Sequence, residues 1–130
     1  MKIIEKTKYY AYFFTRQDIS PEQQIVQTAH VALKLGAESQ KAIDVDAGVE
    51  YVPHRGMDID PDNTYFTVIG VRNLEALLGV YEILTKFDYR FEVFVEPDMN
   101  SEITAIGVYP IAEYNRGPLL AFNWLKISKG

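Results

Sequence analysis

The chain has 130 residues, of which 48% are apolar and 24% are charged, a composition typical of one globular domain and not of a disordered chain. It contains no cysteine, which excludes disulfide bonds, thiolate nucleophiles and cysteine-ligated zinc. Its net charge of −5 argues against a broad nucleic-acid-binding surface, which usually carries a basic surplus, but does not exclude a local basic pocket.

Nothing in the sequence indicates export or membrane insertion. The first stretch, MKIIEKTKYYAYFF, lacks the long apolar run and small-residue cleavage site of a signal peptide. No window approaches the roughly 18 consecutive apolar residues of a membrane-spanning helix. We therefore expect a cytoplasmic protein with no membrane segment, folded as a single domain over residues 1–130.

A strand followed by a capped helix is predicted at the start of the chain. Residues 9–14, YYAYFF, are aromatic on both alternating faces, which is typical of a strand covered on both sides in an α/β sheet. Ser20 can cap the next helix, and Pro21 occupies the first helical position, where its missing N–H costs nothing. Gly36 fits a left-handed stop, so the helix is predicted over residues 21–35.

The predicted helix has two distinct faces. Its apolar residues share one face: Ile25, Val26, Ala29, Ala32 and Leu33. Its polar stripe, at steps of four, three and four residues, consists of Gln23, Gln27, His30 and Lys34. An ordinary surface helix buries the apolar face and turns such a stripe to water. The alternative is that the stripe faces a cleft at the edge of the sheet.

The rest of the chain predicts one more helix and three more strands. Residues 38–63 are the least readable part, in which a short helix or ribbon could form. Asn73 can cap a helix whose apolar stripe is Leu74, Leu77, Leu78, Tyr81 and Leu84. The remaining elements, in chain order, are a strand over 64–71, this helix over 74–87, and strands over 90–96 and 103–109.

This order of elements predicts a three-layer α/β/α domain with a small mixed four-stranded sheet. Helical crossovers favour parallel strands, whereas the short final link allows an antiparallel pair. The tail beyond Pro110 is aromatic and includes Trp124. It could fold onto its own domain, or cover an apolar patch on a second copy and form a homodimer.

Motifs for metal, phosphate or nucleophilic chemistry do not stand out. Residues 58–63, DIDPDN, begin like a calcium loop, but Asn63 occupies the position that requires glycine and Ile69 the position of the bidentate acid. His30 and His54 lack the spacing of a zinc site. There is no phosphate loop, dinucleotide fingerprint or nucleophile elbow. We expect neither a metal nor a cofactor.

The stretch FTRQDISPEQQIVQTAHVAL resembles the first strand and helix of the type-2 peptidyl-tRNA hydrolases. In that family a strand ending in Arg-x-Asp-Leu leads to a helix that reads Gly-Lys-x-Ala-x-Gln-x-x-His-Ala. Arg16, Asp18 and Ile19 fit the first part, and Gln27 and His30 fit the Gln-x-x-His spacing.

Later segments agree with the same family in their order along the chain. TYFTVIGVRNLEALLGVYEIL resembles its second core strand and helix, and EITAIGV resembles its last strand, so the resemblance spans most of residues 9–109. It implies a type-2 peptidyl-tRNA hydrolase-like fold that cleaves the ester between a peptide and the tRNA ribose. It also implies that no metal is required.

The resemblance further implies which residues form the site. By position, the catalytic group is predicted to be Gln27, His30 and Asp98, the last from the turn EPDMN. A water would be activated near Asp98, with Gln27 and His30 orienting the ester. The residues predicted to bind substrate are Arg16, Asp18, Gln23 and Lys34, with Arg16 meeting a phosphate.

Two departures from the family pattern bear on activity. The family's helix lysine falls at Gln23, which removes a charge that could hold a phosphate or polarise the ester. Glu102 falls where a threonine is expected, and with Glu22 and Asp98 it would repel a phosphate, an effect that Arg16 and other basic residues offset only in part. We therefore expect either a slow esterase or a non-catalytic relative that binds RNA, a nucleotide or a protein through the same cleft.

Overall fold

Strands and helices alternate through most of the part of the chain that the structure describes. The computed structural model describes residues 7–47, 62–120 and 125–129, with side-chain surroundings for 7–39 and 62–120. Its strands are β1 (Tyr9–Arg16), β2 (Thr64–Val71), β3 (Phe91–Glu96), β4 (Glu102–Ala112) and β5 (Leu125–Lys129). Its helices are α1 (Pro21–Ala47), α2 (Leu74–Lys86) and the short α3 (Gly117–Leu120).

The strands form one mixed sheet in the order β3-β4-β1-β2-β5. Strands β1 and β2 are parallel because α1 carries the chain across one face of the sheet between them, and the other neighbouring pairs are antiparallel. The prediction of an α/β domain with a mixed sheet is confirmed. The four predicted strands are adjacent, and β5, from the tail that the sequence left unassigned, adds a fifth strand beside β2.

Two apolar clusters, one on each face of the sheet, make the three layers. On one face, α2 and α3 pack on a core of Tyr12, Phe14, Ile69, Val71, Leu77, Val80, Leu84, Ile106, Val108 and Leu119. On the other, α1 packs on a smaller core of Ala11, Phe13, Val31, Leu35, Ala105 and Tyr109. Residues of β1 alternate between the two clusters, as expected for a strand covered on both faces.

Helix α1 differs from the prediction in length and in orientation. It continues to Ala47, because Gly36 is exposed, its surroundings are empty, and a helical glycine costs only about 1 kcal/mol. The apolar face is also not the buried face: Ile25 and Leu33 are 71% and 74% exposed, while Gln27 and Leu35 are buried. The expectation of an ordinary surface helix is therefore wrong.

Helix α2 follows its prediction closely. The side chain of Asn73 accepts a hydrogen bond from the backbone N–H of Ala76 at 3.0 Å, as an N-cap should. The buried stripe is Leu77, Val80 and Leu84, so the inward face is rotated slightly from the predicted one, which included the exposed Leu78 and Tyr81.

Several predicted features fall wholly or partly outside the described residues. These are most of the acidic stretch DIDPDN, the loop ahead of it with His54 and Arg55, and Trp124 in the tail. Within the described residues, none of the helices combines the length and the apolar character needed to cross a bilayer.

Alanine substitutions at two glycines of the sheet can test how tightly α1 packs on it. A Cβ at Gly107 would lie 3.0 Å from Leu35 Cδ1 and 3.2 Å from the Phe13 ring, and both side chains are buried. We expect Gly107→Ala to lower the free energy of unfolding by about 1 kcal/mol, because neither neighbour can yield. Gly70→Ala is the control: the three atoms nearest its Cβ, at 2.5–2.8 Å, all belong to the side chain of Gln17, which is exposed and can swing into solvent. Equal midpoints for the two variants in urea unfolding would contradict this packing.

Candidate functional site

An irregularity in β4 shapes the edge of the sheet beneath α1. Phe94 pairs with Ala105, whereas Val95 pairs with Ile103, so Thr104 is an extra residue in β4. Such a bulge bends the strand and re-aims a side chain. Thr104 is completely buried. Its hydroxyl bonds to α1, so the bulge interrupts the regular alternation of side chains between the two faces of the sheet.

The side chain of Gln27 meets this bulge. The Thr104 hydroxyl donates to Gln27 Oε1 at 3.2 Å, and Gln27 Nε2 donates to Glu96 Oε2 at 2.9 Å and to Gln23 Oε1 at 3.0 Å. Gln27 is 0% exposed, and its bond with Thr104 is fully buried, whereas the bonds to Glu96 and Gln23 reach partners that are open to water. A buried amide is tolerated only when it is hydrogen-bonded in this way. The polar stripe of α1 therefore faces the sheet edge.

Glu96 links Gln27 to the turn between β3 and β4. Its other carboxylate oxygen, Oε1, accepts a hydrogen bond from the backbone N–H of Asp98 at 3.2 Å. The Gln27 amide holds the pKa of the Glu96 carboxyl below its usual range, with smaller contributions from the Asp98 N–H and from the charge of His30. Glu96 thus stays ionised beside the imidazole.

The ring of His30 is held by stacking. It lies 4.5 Å from the Phe94 ring with only 3° between the planes. Stacking uses the face of the ring, so the two nitrogens stay at its edge, and no described residue forms a hydrogen bond with them. His30 is exposed, so it combines a fixed ring plane with nitrogens that a ligand can reach.

Lys34, the last residue of the stripe, is bound to the sheet. Its ammonium donates to the Val93 carbonyl at 3.1 Å and lies 3.8 Å from Glu92 Oε1. The Tyr109 hydroxyl donates to the other oxygen of Glu92 at 2.9 Å. Burial and this carboxylate raise the pKa of Tyr109 well above its usual range. Lys34 anchors the helix here, and its predicted role in substrate binding stays a prediction.

Arg16 is neutralised by two carboxylates. Its guanidinium binds both Asp18 oxygens, at 2.8 and 2.9 Å, and donates to Glu102 Oε1 at 2.7 Å. Arg16 is 6% exposed. The Arg16 guanidinium holds the pKa of Asp18 below its usual range, and the pKa of Arg16 itself is raised. The bond to Glu102 joins the end of β1 to the start of β4. Because two carboxylates already bind the guanidinium, few of its N–H groups are left to bind a phosphate.

Asp98 lies where the chain turns. It belongs to a single turn of 3₁₀ helix, Pro97–Met99, which the left-handed residues Asn100 and Ser101 connect to β4. Its carboxylate is exposed and has no hydrogen bond or ion pair with the described residues. The Asp98 backbone N–H and the Gln27 side-chain amide bind the two oxygens of the same Glu96 carboxylate.

The assembled edge is acidic and compact. The structure brings Gln23, Gln27 and His30 together with the β3–β4 turn, and places Arg16 and Asp18 at the adjacent end of β1. Its carboxylates are Asp18, Glu96, Asp98 and Glu102, and Glu22 lies in the first turn of α1. Among the described residues, no three acids or histidines are grouped closely enough to hold a metal ion.

Two residues of this edge were missed by sequence reasoning. Glu96 was assigned only to a strand face, and Thr104 only to a strand. A signal existed for Glu96, which directly precedes the turn PDMN, where side chains often bind backbone N–H groups. No local signal marks Thr104, because its role depends on a bulge that arises from pairing with β3.

Comparison with known proteins adds no family assignment. No model of a protein family matches the chain, and no curated protein sequence matches it. The resemblance to type-2 peptidyl-tRNA hydrolases therefore stays a prediction from the sequence motifs and the order of the elements.

The hydrogen bonds of Gln27 can be tested with a double-mutant cycle. Gln27→Leu keeps the side-chain size but leaves the buried Thr104 hydroxyl with only the long contact to the Phe94 carbonyl, at 3.5 Å, and we expect it to lower the free energy of unfolding by about 1–3 kcal/mol. Adding Thr104→Val should recover part of this loss, because it removes the poorly bonded hydroxyl. Additive losses in urea unfolding would show that the two groups are not coupled.

The ion pair of Arg16 and Asp18 makes stability depend on pH. Because the folded pKa of Asp18 is lowered, its stabilisation is present above the unfolded value near 3.8 and is lost as the pH falls through the folded pKa. We expect Asp18→Asn to cost about 0.5–1 kcal/mol at neutral pH, since the side chain is partly exposed. The difference from the parent chain should shrink below pH 3.8. A difference that persists unchanged in acid would contradict the ion pair.

Proposed function

We propose that the edge formed by α1 and the β3–β4 turn hydrolyses peptidyl-tRNA or a related aminoacyl ester. The observation that carries the proposal is the burial of Gln27 against the turn that bears Asp98. A surface helix ordinarily buries its apolar face, so stability of the fold alone does not explain why α1 buries Gln27. This burial supports the proposal, because Glu96 joins Gln27 of the Gln-x-x-His pattern to the backbone of Asp98, the acid that the resemblance implies.

The proposed chemistry divides the residues into two roles. Asp98, with its exposed carboxylate, takes a proton from the attacking water while the water oxygen adds to the ester carbonyl. It then returns that proton to the ribose oxygen as the ester C–O bond breaks. His30, with reachable nitrogens and a fixed ring, hydrogen-bonds the ester. Gln27 is a positioning residue instead of one that contacts the ester, because it is buried and its amide is already committed to Glu96 and Gln23.

The reaction is expected to be slow. Gln23 is exposed beside Gln27 but carries no charge, so it stabilises a developing oxyanion less than a lysine would. Arg16 is held by its two carboxylates, which leave little of its positive charge for an anionic substrate. The acidic edge also lowers the local concentration of an anionic substrate.

The same electrostatics favour a second candidate function. A non-catalytic domain that captures a ligand or protein through this edge needs no lysine and tolerates a neutralised Arg16. The specific observation in its favour is that the polar groups around Gln27 are already paired with one another. The two candidates differ in turnover, so one assay separates them.

The assay follows release of the amino acid from an N-acetylated aminoacyl-tRNA. The hydrolase proposal expects slow release above buffer, at least about 100-fold slower with Asp98→Asn, because acid–base catalysis contributes about 10²–10⁴-fold. His30→Asn should also slow release, whereas Gln23→Lys should accelerate it. The control is Gln17→Lys, which adds the same charge at an exposed position outside the stripe.

Two results would overturn the hydrolase proposal. One is no release above buffer at high protein concentration from either the parent chain or Gln23→Lys. The other is release that Asp98→Asn and His30→Asn leave unchanged. Circular dichroism of each variant confirms that the fold is retained, since both side chains are exposed and neither belongs to a buried cluster.

A further inference from the structure

A concavity lies at the end of the sheet opposite the α1 edge. It has a volume of about 650 Å³, within the usual range for small-molecule sites. Its walls come from the start of β1, the α2–β3 connection, the end of β4 and the segment leading into α3. Strand β3 separates it from the α1 edge by six residues, or about 20 Å. We call it the aromatic cleft.

The aromatic cleft takes its name from five rings: Tyr9, Phe87, Tyr89, Tyr109 and Tyr114. Three of them are well exposed, with Tyr114 at 79%, Phe87 at 46% and Tyr9 at 36%. Exposed aromatic rings grouped around one concavity are unusual in a monomer and mark a binding surface. The Tyr89 hydroxyl donates to the Asn115 carbonyl at 2.6 Å, which holds one wall in place.

Positive charge accompanies these rings. The Arg90 guanidinium lies 4.6 Å from the centre of the Tyr109 ring, and the Lys86 ammonium lies 5.7 Å from that of Phe87. Arg116 lies 3.6 Å from the ring centre of the neighbouring Tyr10. Arg90 lines the aromatic cleft together with the carboxylate Asp88, and Lys86 and Arg116 are neighbours of its lining residues Phe87 and Asn115 along the chain.

Hydrogen-bonding groups complete the lining. Asp88, in the left-handed conformation with φ of 59°, and Asn115 both line the aromatic cleft and are exposed. A carboxylate accepts hydrogen bonds, whereas a side-chain amide both donates and accepts them. Together they can read the polar edge of a flat heterocycle that stacks on Tyr114 or Phe87. A purely apolar occupant would leave these groups unpaired.

We propose that the aromatic cleft binds a nucleobase that carries a phosphate, either as a free nucleotide or as an unpaired nucleotide of RNA. Aromatic rings accept any base through stacking, and nearby lysine and arginine attract the phosphate. At the α1 edge, by contrast, His30 already covers a face of the Phe94 ring, and carboxylates neutralise Arg16. The proposal does not depend on ester hydrolysis, because it concerns other residues at the other end of the sheet.

The test is titration with adenosine 5′-monophosphate, adenosine and a single-stranded oligoadenylate, followed by calorimetry and amide chemical shifts. We expect binding that shifts Tyr114 and Asn115 but not His30. Tyr114→Ala should weaken it about fivefold or more, since stacking contributes at least about 1 kcal/mol per base. Lys86→Gln should weaken the phosphorylated probes but not adenosine, and should lower the salt slope for the oligonucleotide by about one.

Matched controls lie elsewhere on the surface. Leu33→Ala removes an equally exposed apolar side chain from α1, and Arg72→Gln removes an exposed cation at the other end of β2. Both should leave the affinity unchanged. Equal affinity per site for the mononucleotide and the oligonucleotide identifies a free nucleotide, and much tighter oligonucleotide binding identifies RNA; both outcomes support the shared chemistry.

Three results would overturn the proposal. The first is no binding of any adenine probe at millimolar concentration. The second is binding that Tyr114→Ala does not weaken. The third is occupation of the aromatic cleft by a proline-rich peptide when the nucleotides do not bind, because aromatic grooves also accept such peptides. None of these results bears on hydrolysis at the α1 edge.

Discussion

The amide of Gln27 is the constraint on which the rest of the candidate site depends. Its three hydrogen bonds join α1 to the bulge of β4, through Thr104, and to the turn after β3, through Glu96. Burying an amide without partners would cost several kcal/mol, so the helix can adopt this rotation only with these bonds formed. The rotation turns Ile25 and Leu33 to the surface and brings His30 onto the Phe94 ring.

The two ends of the sheet have opposite character. The α1 edge gathers carboxylates around a stacked imidazole, and its one buried cation, Arg16, is neutralised by Asp18 and Glu102. The opposite end gathers exposed rings with the cations Arg90 and Lys86. The catalytic residues that the resemblance to type-2 peptidyl-tRNA hydrolases implies, Gln27, His30 and Asp98, belong to the first end.

The outline of the fold could be predicted because local signals agreed with it. The cap at Asn73 and the aromatic alternation of β1 act over a few residues, and both were read correctly. The predictions that were wrong concern features that depend on contacts between residues far apart in the sequence. The apolar face of α1 predicted burial, but partners 69 and 77 residues away along the chain bind Gln27 and turn that face outward. Gly36 resembled the glycine that often ends a helix, but it lies inside α1, which continues to Ala47. The aromatic cleft joins segments that no motif connects.

The most direct test of the inward-facing glutamine is the solvent exchange of its side-chain amide protons, measured by nitrogen-15 NMR. If Gln27 is buried and bound as described, its amide protons should exchange far more slowly than those of the exposed Gln17 in the same spectrum. Exchange of Gln27 as fast as that of Gln17 would contradict the account, because the polar stripe of α1 would then face water.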